Sequence, residues 1–457
     1  MRFLLVFPFL LLETSSIVSP PDEKIEAAAE VFEEWRSTRN EFVDAMKHPM
    51  GLPHFNCSRP SFPPTLSVHQ LHPSQIGVIA ALGDSVSVAQ AAKSTSVLDL
   101  FQKFPGVSFV TGDDVVMSEQ ATLLNMFRQF SPRVKGGSSD RIQKFYDFNF
   151  AVPGSFSLEL PEQAKRLALT LKRKLRDENE KTWKFVNIFT GHNDLCKICT
   201  NQTLFGPETF GKSLRSALRT IRTSVPNVFV SVMPPINVQI HTQDHNVSQF
   251  CELSHKKTCP CLFELGQTEY SDIKKKFDEQ LQSVVDEFNS VDSLNFTVVV
   301  SPAMDLRSIP LLGEQPNVAL VALDCFHLSP IAHDIAAKQI WKGLFERVGL
   351  KSITSELKTG FDRFVCPPKE CPFLRTNKNS EGCEPPMELR SLLIPAAEAV
   401  NGSASTMILL VGFFMLGSVL IGLFVRASFR RPTTSEFCDE RRHLLLPIRA
   451  DLNDNIF

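Results

Sequence analysis

Three side chains in this sequence have the chemistry of a nucleophile, a base and an acid. Ser85 follows an apolar run within Gly83-Asp84-Ser85, and Asp324 and His327 stand close together just before the last predicted helix. A serine hydroxyl becomes a nucleophile when a neutral imidazole takes its proton and a carboxylate fixes the tautomer of that imidazole. Together the three residues predict attack on a carbonyl carbon. Each motif alone is also common in ordinary surface turns and helix caps.

Attack on a carbonyl carbon puts negative charge on the carbonyl oxygen, which then needs hydrogen-bond donors. The candidate donors of this oxyanion hole are the backbone amides of Ser85 and Gly154 and the side-chain amide of Asn193. Each follows a different predicted strand, so we expect all three on one rim of a sheet. Together with the Asp324–His327 pair, in this order along the chain, these residues indicate acyl-ester chemistry more specifically than any one of them does alone.

Strand-like and helix-like segments alternate after residue 76, and they must position these side chains. This alternation predicts an α/β fold in which helices cover both faces of a mostly parallel sheet. Ser85 is expected at the turn between the first strand and a helix. The predicted strands are 76–85, 107–111, 145–152, 185–190, 228–233 and 296–300; the predicted helices are 22–47, 86–93, 118–130, 158–179, 207–225, 271–289 and 328–348, with a cysteine-bearing loop at 249–261.

Over about residues 55–379 the chain resembles the GDSL or SGNH hydrolases, and within them the membrane-associated phospholipase B enzymes. The blocks that carry this resemblance are GDS at 83–85, NFAVPG at 149–154, GHNDLCKIC at 191–199, CPC at 259–261 and DCFHLS at 324–329. The resemblance implies a three-layer, flavodoxin-like α/β/α sandwich. It also implies Ser85 as the nucleophile, Asp324 and His327 as its partners, and Gly154 and Asn193 as oxyanion donors. The implied reaction is cleavage of acyl esters in phospholipid and lysophospholipid substrates, with no metal or other cofactor.

His192 departs from the family pattern, because glycine is usual at this position. Beside the oxyanion donors its ring could contact the substrate or respond to pH, but we expect the ring to face outward. Two other functions remain open for the whole chain. One is a catalytically silent cell-surface binding module of the same fold, and the other is a carbohydrate O-acetylesterase.

Both ends of the chain contain apolar segments. The pattern at 1–19 is typical of a signal peptide, and the nineteen uncharged residues 407–425 are long enough to span a membrane. Arginines directly after the span place the tail, 426–457, in the cytoplasm, which predicts a type I protein of the plasma membrane. Between these ends we expect an N-terminal helix and proline-rich arm (20–73), a catalytic domain (74–350) and a cysteine-containing stalk (351–406).

Ten of the eleven cysteines precede the predicted span, which favours disulfides in an oxidising compartment. Zinc at the pairs Cys196/Cys199 and Cys259/Cys261 is the less favoured alternative. The net charge of −2 gives no sign of nucleic-acid binding. In the tail, an acidic dileucine pattern predicts sorting adaptors as partners through Glu440, Leu444 and Leu445. The predicted N-glycosylation sites are Asn56, Asn201, Asn246, Asn295 and Asn401.

Overall fold

A four-stranded parallel sheet lies at the centre of the computed structural model, which describes residues 21–46, 50–244, 247–306, 309–353 and 363–383. The strands follow one another in space as they do in sequence. They are β1 (Ile76–Gly83), β2 (Trp183–Phe189), β3 (Val228–Met233) and β4 (Phe296–Val300). Since all three pairings are parallel, the carboxyl ends of the strands meet at one edge. A short hairpin, β5 (Leu311–Leu312) and β6 (Gln315–Pro316), follows β4.

The chain also pairs with the outer side of β1. Ile79 N donates to Lys135 O at 2.9 Å, and Ala81 N donates to Phe148 O at 3.1 Å. The predicted strand at 145–152 therefore runs beside β1 in parallel, although it forms only an isolated bridge at Asn149. As a result β1 is hydrogen-bonded on both sides and lies inside the sheet.

Helices cover both faces of the sheet, as the alternation predicts. In β1, Val78, Ala80 and Leu82 belong to one buried cluster, while Ile79 and Ala81 belong to another on the opposite face. The first cluster contains residues of the helices Leu160–Leu175, Pro207–Ser224 and Gln267–Asn289, and the second contains residues of Leu123–Arg128 and Pro330–Gly343, which gives an α/β/α sandwich. The helices are α1 (Pro21–Ala45), α2 (Leu123–Arg128), α3 (Leu160–Leu175), α4 (His192–Lys197), α5 (Gln202–Phe205), α6 (Pro207–Ser224), α7 (Gln249–Thr258), α8 (Cys261–Glu264), α9 (Gln267–Asn289) and α10 (Pro330–Gly343).

Besides the segment 145–152, three segments differ from the predicted secondary structure, and the predicted helix at 118–130 is shortened to Leu123–Arg128. Residues 86–93 form turns rather than a helix, because Ala89 and Ala91 adopt φ of +53° and +57°. Residues 107–111 are not a strand, since a short 3-10 helix, Pro105–Val107, leads into turns. The predicted loop at 249–261 contains α7 and the start of α8, and the Ser248 hydroxyl caps α7.

The prediction of disulfides is confirmed. The bridges are Cys57–Cys366, Cys196–Cys259, Cys199–Cys261, Cys251–Cys325 and Cys371–Cys383. The four cysteines considered as zinc ligands thus form two neighbouring bridges. Residues 363–383 also contact the proline-rich arm, since Leu374 N donates to Leu71 O at 2.9 Å.

No helix in the described ranges is both long and apolar enough to cross a membrane. The predicted signal peptide (1–19), membrane span (407–425) and tail (426–457) lie outside those ranges, as do Asn246, Asn401, Glu440, Leu444 and Leu445. The other three predicted glycosylation sites, Asn56, Asn201 and Asn295, are exposed.

Candidate active site

Ser85 follows β1 at the edge where the parallel strands end. Two residues earlier, Gly83 has φ of +148°, and a Cβ there would lie 2.1 Å from the carbonyl oxygen of Phe189, so the position requires glycine. The side chain of Gln163 on α3 accepts a hydrogen bond from Gly83 N and donates one to Gly83 O, both at 2.8 Å. This pair of bonds fixes the backbone that leads to Ser85.

Ser155 links the segments that carry the three predicted oxyanion donors. Its hydroxyl donates to Gly83 O at 3.0 Å, and its carbonyl oxygen accepts a hydrogen bond from Asn193 Nδ2 at 2.9 Å. The preceding residue, Gly154, is exposed and has φ of +73°. A side-chain amide carries two N–H groups, so Asn193 retains one for a substrate oxygen. The structure thus brings the segments of Ser85, Gly154 and Asn193 together.

The ring of His192 is buried, so the expectation that it faces outward is wrong. Only 1% of this residue is exposed, and the ring packs edge-on against Phe189 with centroids 4.9 Å apart. Its Nε2 lies 2.7 Å from Asp84 Oδ1, which also accepts a hydrogen bond from Val86 N at 3.1 Å. No local sequence pattern indicates this contact, which joins the turn of Ser85 to the first residue of α4.

Asp324 and His327 lie on a tight loop before α10. The turn is possible because Cys325 adopts φ of +64°. One oxygen of Asp324 accepts hydrogen bonds from the backbone nitrogens of Phe326 and His327, at 3.1 and 3.0 Å, and the other bonds to His327 Nδ1. Burial alone would raise the pKa of Asp324, but the charge of His327 and these hydrogen bonds outweigh it and hold that pKa below its ordinary value.

The remaining ring nitrogen, His327 Nε2, is buried and has no hydrogen-bond partner among the described residues. The structure therefore joins Asp324 to His327, and the turn of Ser85 to the oxyanion segments, but places no hydrogen bond between these two halves. Catalytic hydrogen bonds often tighten only when substrate binds. Chemically, the imidazole is arranged to accept a proton at Nε2 while the carboxylate holds the proton on Nδ1.

An apolar cavity of about 50 Å³ lies beside His327. Apart from His327 and His241, the side chains of its walls are apolar; they include Ile240, Met304, Leu306, Leu320, Phe326, Leu328 and Ile335. Since one water-sized group needs roughly 10–15 Å³ by this measure, the cavity holds roughly four such groups. A cavity with such walls favours an aliphatic segment over a sugar, whose hydroxyls would lose their hydrogen bonds to water.

Comparison with known proteins gives a family for this chain. Residues 79–340 match the family model described as GDSL-like Lipase/Acylhydrolase. The human protein named "Phospholipase B1, membrane-associated" is 33% identical over 329 residues, which is 69% of this chain and 22% of that protein. The rat protein of the same name is 30% identical over 327 residues, again 69% of this chain and 22% of that protein. The chain thus spans about a fifth of the length of these relatives.

Among solved structures, a GDSL-like lipase from Parabacteroides merdae has 12% identity and a TM-score of 0.32, over 57% of this chain and 91% of that one.

Proposed function

Since the chain belongs to the GDSL-like lipase/acylhydrolase family of carboxylic ester hydrolases, we propose that it cleaves the acyl esters of glycerophospholipids and lysophospholipids through an acyl-enzyme on Ser85. The observation that carries this proposal is the His327 imidazole. Asp324 holds its Nδ1, its Nε2 has no partner among the described residues, and an apolar cavity lies beside it. The relatives named membrane-associated phospholipase B1 support the same substrate class.

In the first half of the reaction, Ser85 Oγ attacks the ester carbonyl carbon while His327 Nε2 takes the hydroxyl proton. Asp324 keeps the other proton on Nδ1 and stabilises the imidazolium that forms. The carbonyl oxygen becomes an oxyanion, which accepts hydrogen bonds from the amides of Ser85 and Gly154 and from Asn193 Nδ2. When the carbonyl forms again, the alcohol oxygen of the leaving lysolipid or glycerol departs with the proton from His327.

In the second half, water replaces the serine as the nucleophile. His327 removes a proton from the water as it attacks the acyl-enzyme, and it then returns that proton to Ser85 Oγ. The same donors hold the second oxyanion. The products are a free fatty acid and the regenerated hydroxyl of Ser85.

The apolar cavity favours a lipid over an acetylated sugar. In a lysophospholipid the leaving alcohol carries a charged headgroup, whereas the acyl chain is entirely hydrocarbon. Burying an unpaired charge in the cavity would be costly, while burying methylene groups is favourable by about 0.8 kcal/mol each. The acyl chain is therefore the part of the substrate that we place beside His327.

The proposed location is the outer face of the plasma membrane, with a single C-terminal span at 407–425. The five disulfides and the exposed sequons at Asn56, Asn201 and Asn295 support folding in the secretory pathway. A site held near a bilayer would meet its lipid substrate at high local concentration. Sorting adaptors that bind Glu440, Leu444 and Leu445 remain part of this proposal.

The test is an assay of the full-length chain with lysophosphatidylcholine and with acetylated xylan. We expect fatty acid from the first, background acetate from the second, and a loss of activity in Ser85→Ala of about 10⁴-fold or more. Ser87→Ala is the matched control, because Ser87 is a buried serine of the same turn. It should remain active and should still be labelled by a fluorophosphonate probe.

Three outcomes would contradict the proposal, and each indicates a different alternative. Hydrolysis by folded Ser85→Ala would exclude Ser85 as the nucleophile. Faster release of acetate from xylan than of fatty acid would indicate the O-acetylesterase. No hydrolysis of either substrate, with no labelling of Ser85 in a folded chain, would indicate the silent binding module.

A further inference from the structure

Helix α1 lies outside the residues 79–340 that match the family model, yet its side chains bond to the loop that carries Asp324. Trp35 Nε1 donates to Leu323 O at 2.9 Å. One turn later, Arg39 Nε donates to Val321 O at 2.6 Å. The backbone directly before Asp324 is thus held at two points by a helix that is far away in sequence.

Apolar contacts bury α1 against the same region. Phe32 and Trp35 are 3% and 1% exposed, and they pack in one cluster with Leu323 and Cys325. Farther along the helix, Phe42 and its apolar neighbours pack against a second cluster that includes the start of α10. Helix α1 therefore covers the chain on both sides of the Asp324–His327 pair.

Arg39 also brings a positive charge to this loop. Burial lowers the pKa of Arg39 to about 10, and the carboxylate of Asp324 opposes part of that change, so the guanidinium stays charged at neutral pH. Three further histidines face the loop. His333 is buried on α10, and its burial, together with the charge of His327, lowers its pKa to about 3. The other two histidines contact the loop directly. His255 Nε2 lies 2.8 Å from Cys325 O, and the ring of His241 stacks on that of Phe326 with centroids 4.8 Å apart.

We propose that α1 is part of the catalytic apparatus, with Arg39 as a positioning residue that holds the Asp324–His327 loop. This inference rests on the proposed function. Arg39 and Trp35 bond to two carbonyl groups of the backbone that leads to Asp324, so they fix where the loop presents His327 Nε2. A small displacement of the base from the nucleophile is enough to slow proton transfer.

The test measures kcat and KM for lysophosphatidylcholine separately in the full-length chain. Arg39→Met removes the hydrogen bond to Val321 O but keeps much of the aliphatic chain, so kcat should fall about 10-fold while KM changes little. Arg39→Lys keeps a cationic donor and should recover part of the lost kcat. Arg36→Met is the matched control, because Arg36 lies on the same helix but bonds to Thr95 O and Glu33; its kcat and KM should equal those of the unmodified chain.

A second variant tests the other hydrogen bond from α1. Trp35→Phe removes the hydrogen bond to Leu323 O, so it should also lower kcat a few-fold with little change in KM. It serves as the test of the α1 contact should Arg39→Met fail to fold. An unchanged kcat in folded Arg39→Met, or an equal loss in Arg36→Met, would overturn the role of Arg39.

A readout without turnover keeps this inference separate from the proposed function. Diethyl pyrocarbonate reacts with accessible imidazole, so its rate of modification of His327 at a single pH can be followed by mass spectrometry in Ser85→Ala. Since His327 Nε2 is buried, adding Arg39→Met should raise that rate by loosening the loop. If the unmodified chain hydrolyses no ester, the proposed function fails, whereas an unchanged modification rate would overturn the role of Arg39.

Discussion

Ser85 follows a strand that is hydrogen-bonded on both sides, whereas Asp324 and His327 lie on a loop that is held by links from distant parts of the chain. Backbone ladders to β2 and to the segment around Asn149 fix β1. The acid–base loop depends instead on a disulfide and the side chains of Ser254 and His255 from α7, on two side chains of α1, and on an antiparallel bridge between Val321 and Leu328.

The two halves of the site are therefore sensitive to different substitutions. Many backbone hydrogen bonds together position Ser85, so the loss of one bond should shift this residue little. Each link to the acid–base loop has few substitutes, and a displacement of about 1 Å is enough to cost on the order of 100-fold in rate. We therefore expect single changes far from the chemistry to reduce catalysis more on the acid–base side.

The largest expected effect follows removal of the disulfide at the loop. Cys251→Ala with Cys325→Ala frees position 325, one of the two residues between Asp324 and His327, so we expect kcat for lysophosphatidylcholine to fall on the order of 100-fold. The matched control is Cys371→Ala with Cys383→Ala, which opens a bridge across only 12 residues outside the loop. That control should lower the melting temperature but leave kcat unchanged. Equal effects of the two pairs on kcat would remove the distinction between the two halves.

A smaller effect is expected on the nucleophile side. Gln163→Leu removes both side-chain bonds to Gly83, but the ladders of β1 and the Ser155 hydroxyl remain. We expect kcat to fall about 10-fold and stability to fall by about 1–3 kcal/mol, because buried backbone groups lose partners. The control is Gln282→Leu on the exposed face of α9, which should change neither quantity. A loss as large as that from the missing disulfide would contradict the proposed robustness of this side.

The sequence predicts most of the sheet and its covering helices because their signals are local. The unbroken apolar run of β1 and the helical spacing in α3, α6 and α9 indicate buried elements without knowledge of their partners. Residues 86–93 could not be assigned in this way. Their left-handed alanines accompany a bridge between Gln90 and Lys103, which is a tertiary contact.

The residues that support the site are harder to find from sequence than the residues proposed to react. Ser85, Asp324 and His327 stand in short motifs, whereas Gln163, Trp35 and Arg39 act across separations of 80, 288 and 282 residues. Local patterns carry no information about such partners. One signal was present for Gln163, since it is a polar residue on the buried face of α3.

The carboxylates of Asp324 and Asp194 differ in the charge of the groups that bond to them, and their pKa values shift in opposite directions. Asp324 bonds to an imidazole, and its pKa is lowered despite burial. Asp194 accepts hydrogen bonds from Ser157 N at 2.9 Å and Ser157 Oγ at 2.6 Å, which are neutral donors. Burial raises the pKa of Asp194 to about 6 against these bonds, and the charge of Asp84 adds to the rise. Compared with the unfolded chain, the folded chain therefore keeps Asp194 protonated up to a higher pH.

The smallest expected effect on activity, and a measurable one on stability, follows Asp194→Asn. A carboxyl whose pKa is raised from 3.8 to about 6 by folding binds more protons in the folded chain, so its contribution to the free energy of unfolding falls as pH rises through this window. The full difference is about 3 kcal/mol. The variant should thus melt higher than the unmodified chain at about pH 7 and at nearly the same temperature at about pH 4.

The opposite carboxylate supplies the control for this prediction. The stability that Asp324 contributes is lost only as pH falls through its lowered pKa, below 3.8, so Asp324→Asn should leave the slope of melting temperature between about pH 4 and 6 unchanged. If Asp194→Asn kept that slope as well, the charge of Asp194 would have to be stabilised in the folded chain. The nucleophile side would then hold its carboxylate as the acid–base loop holds Asp324, and the electrostatic contrast between the two halves would disappear.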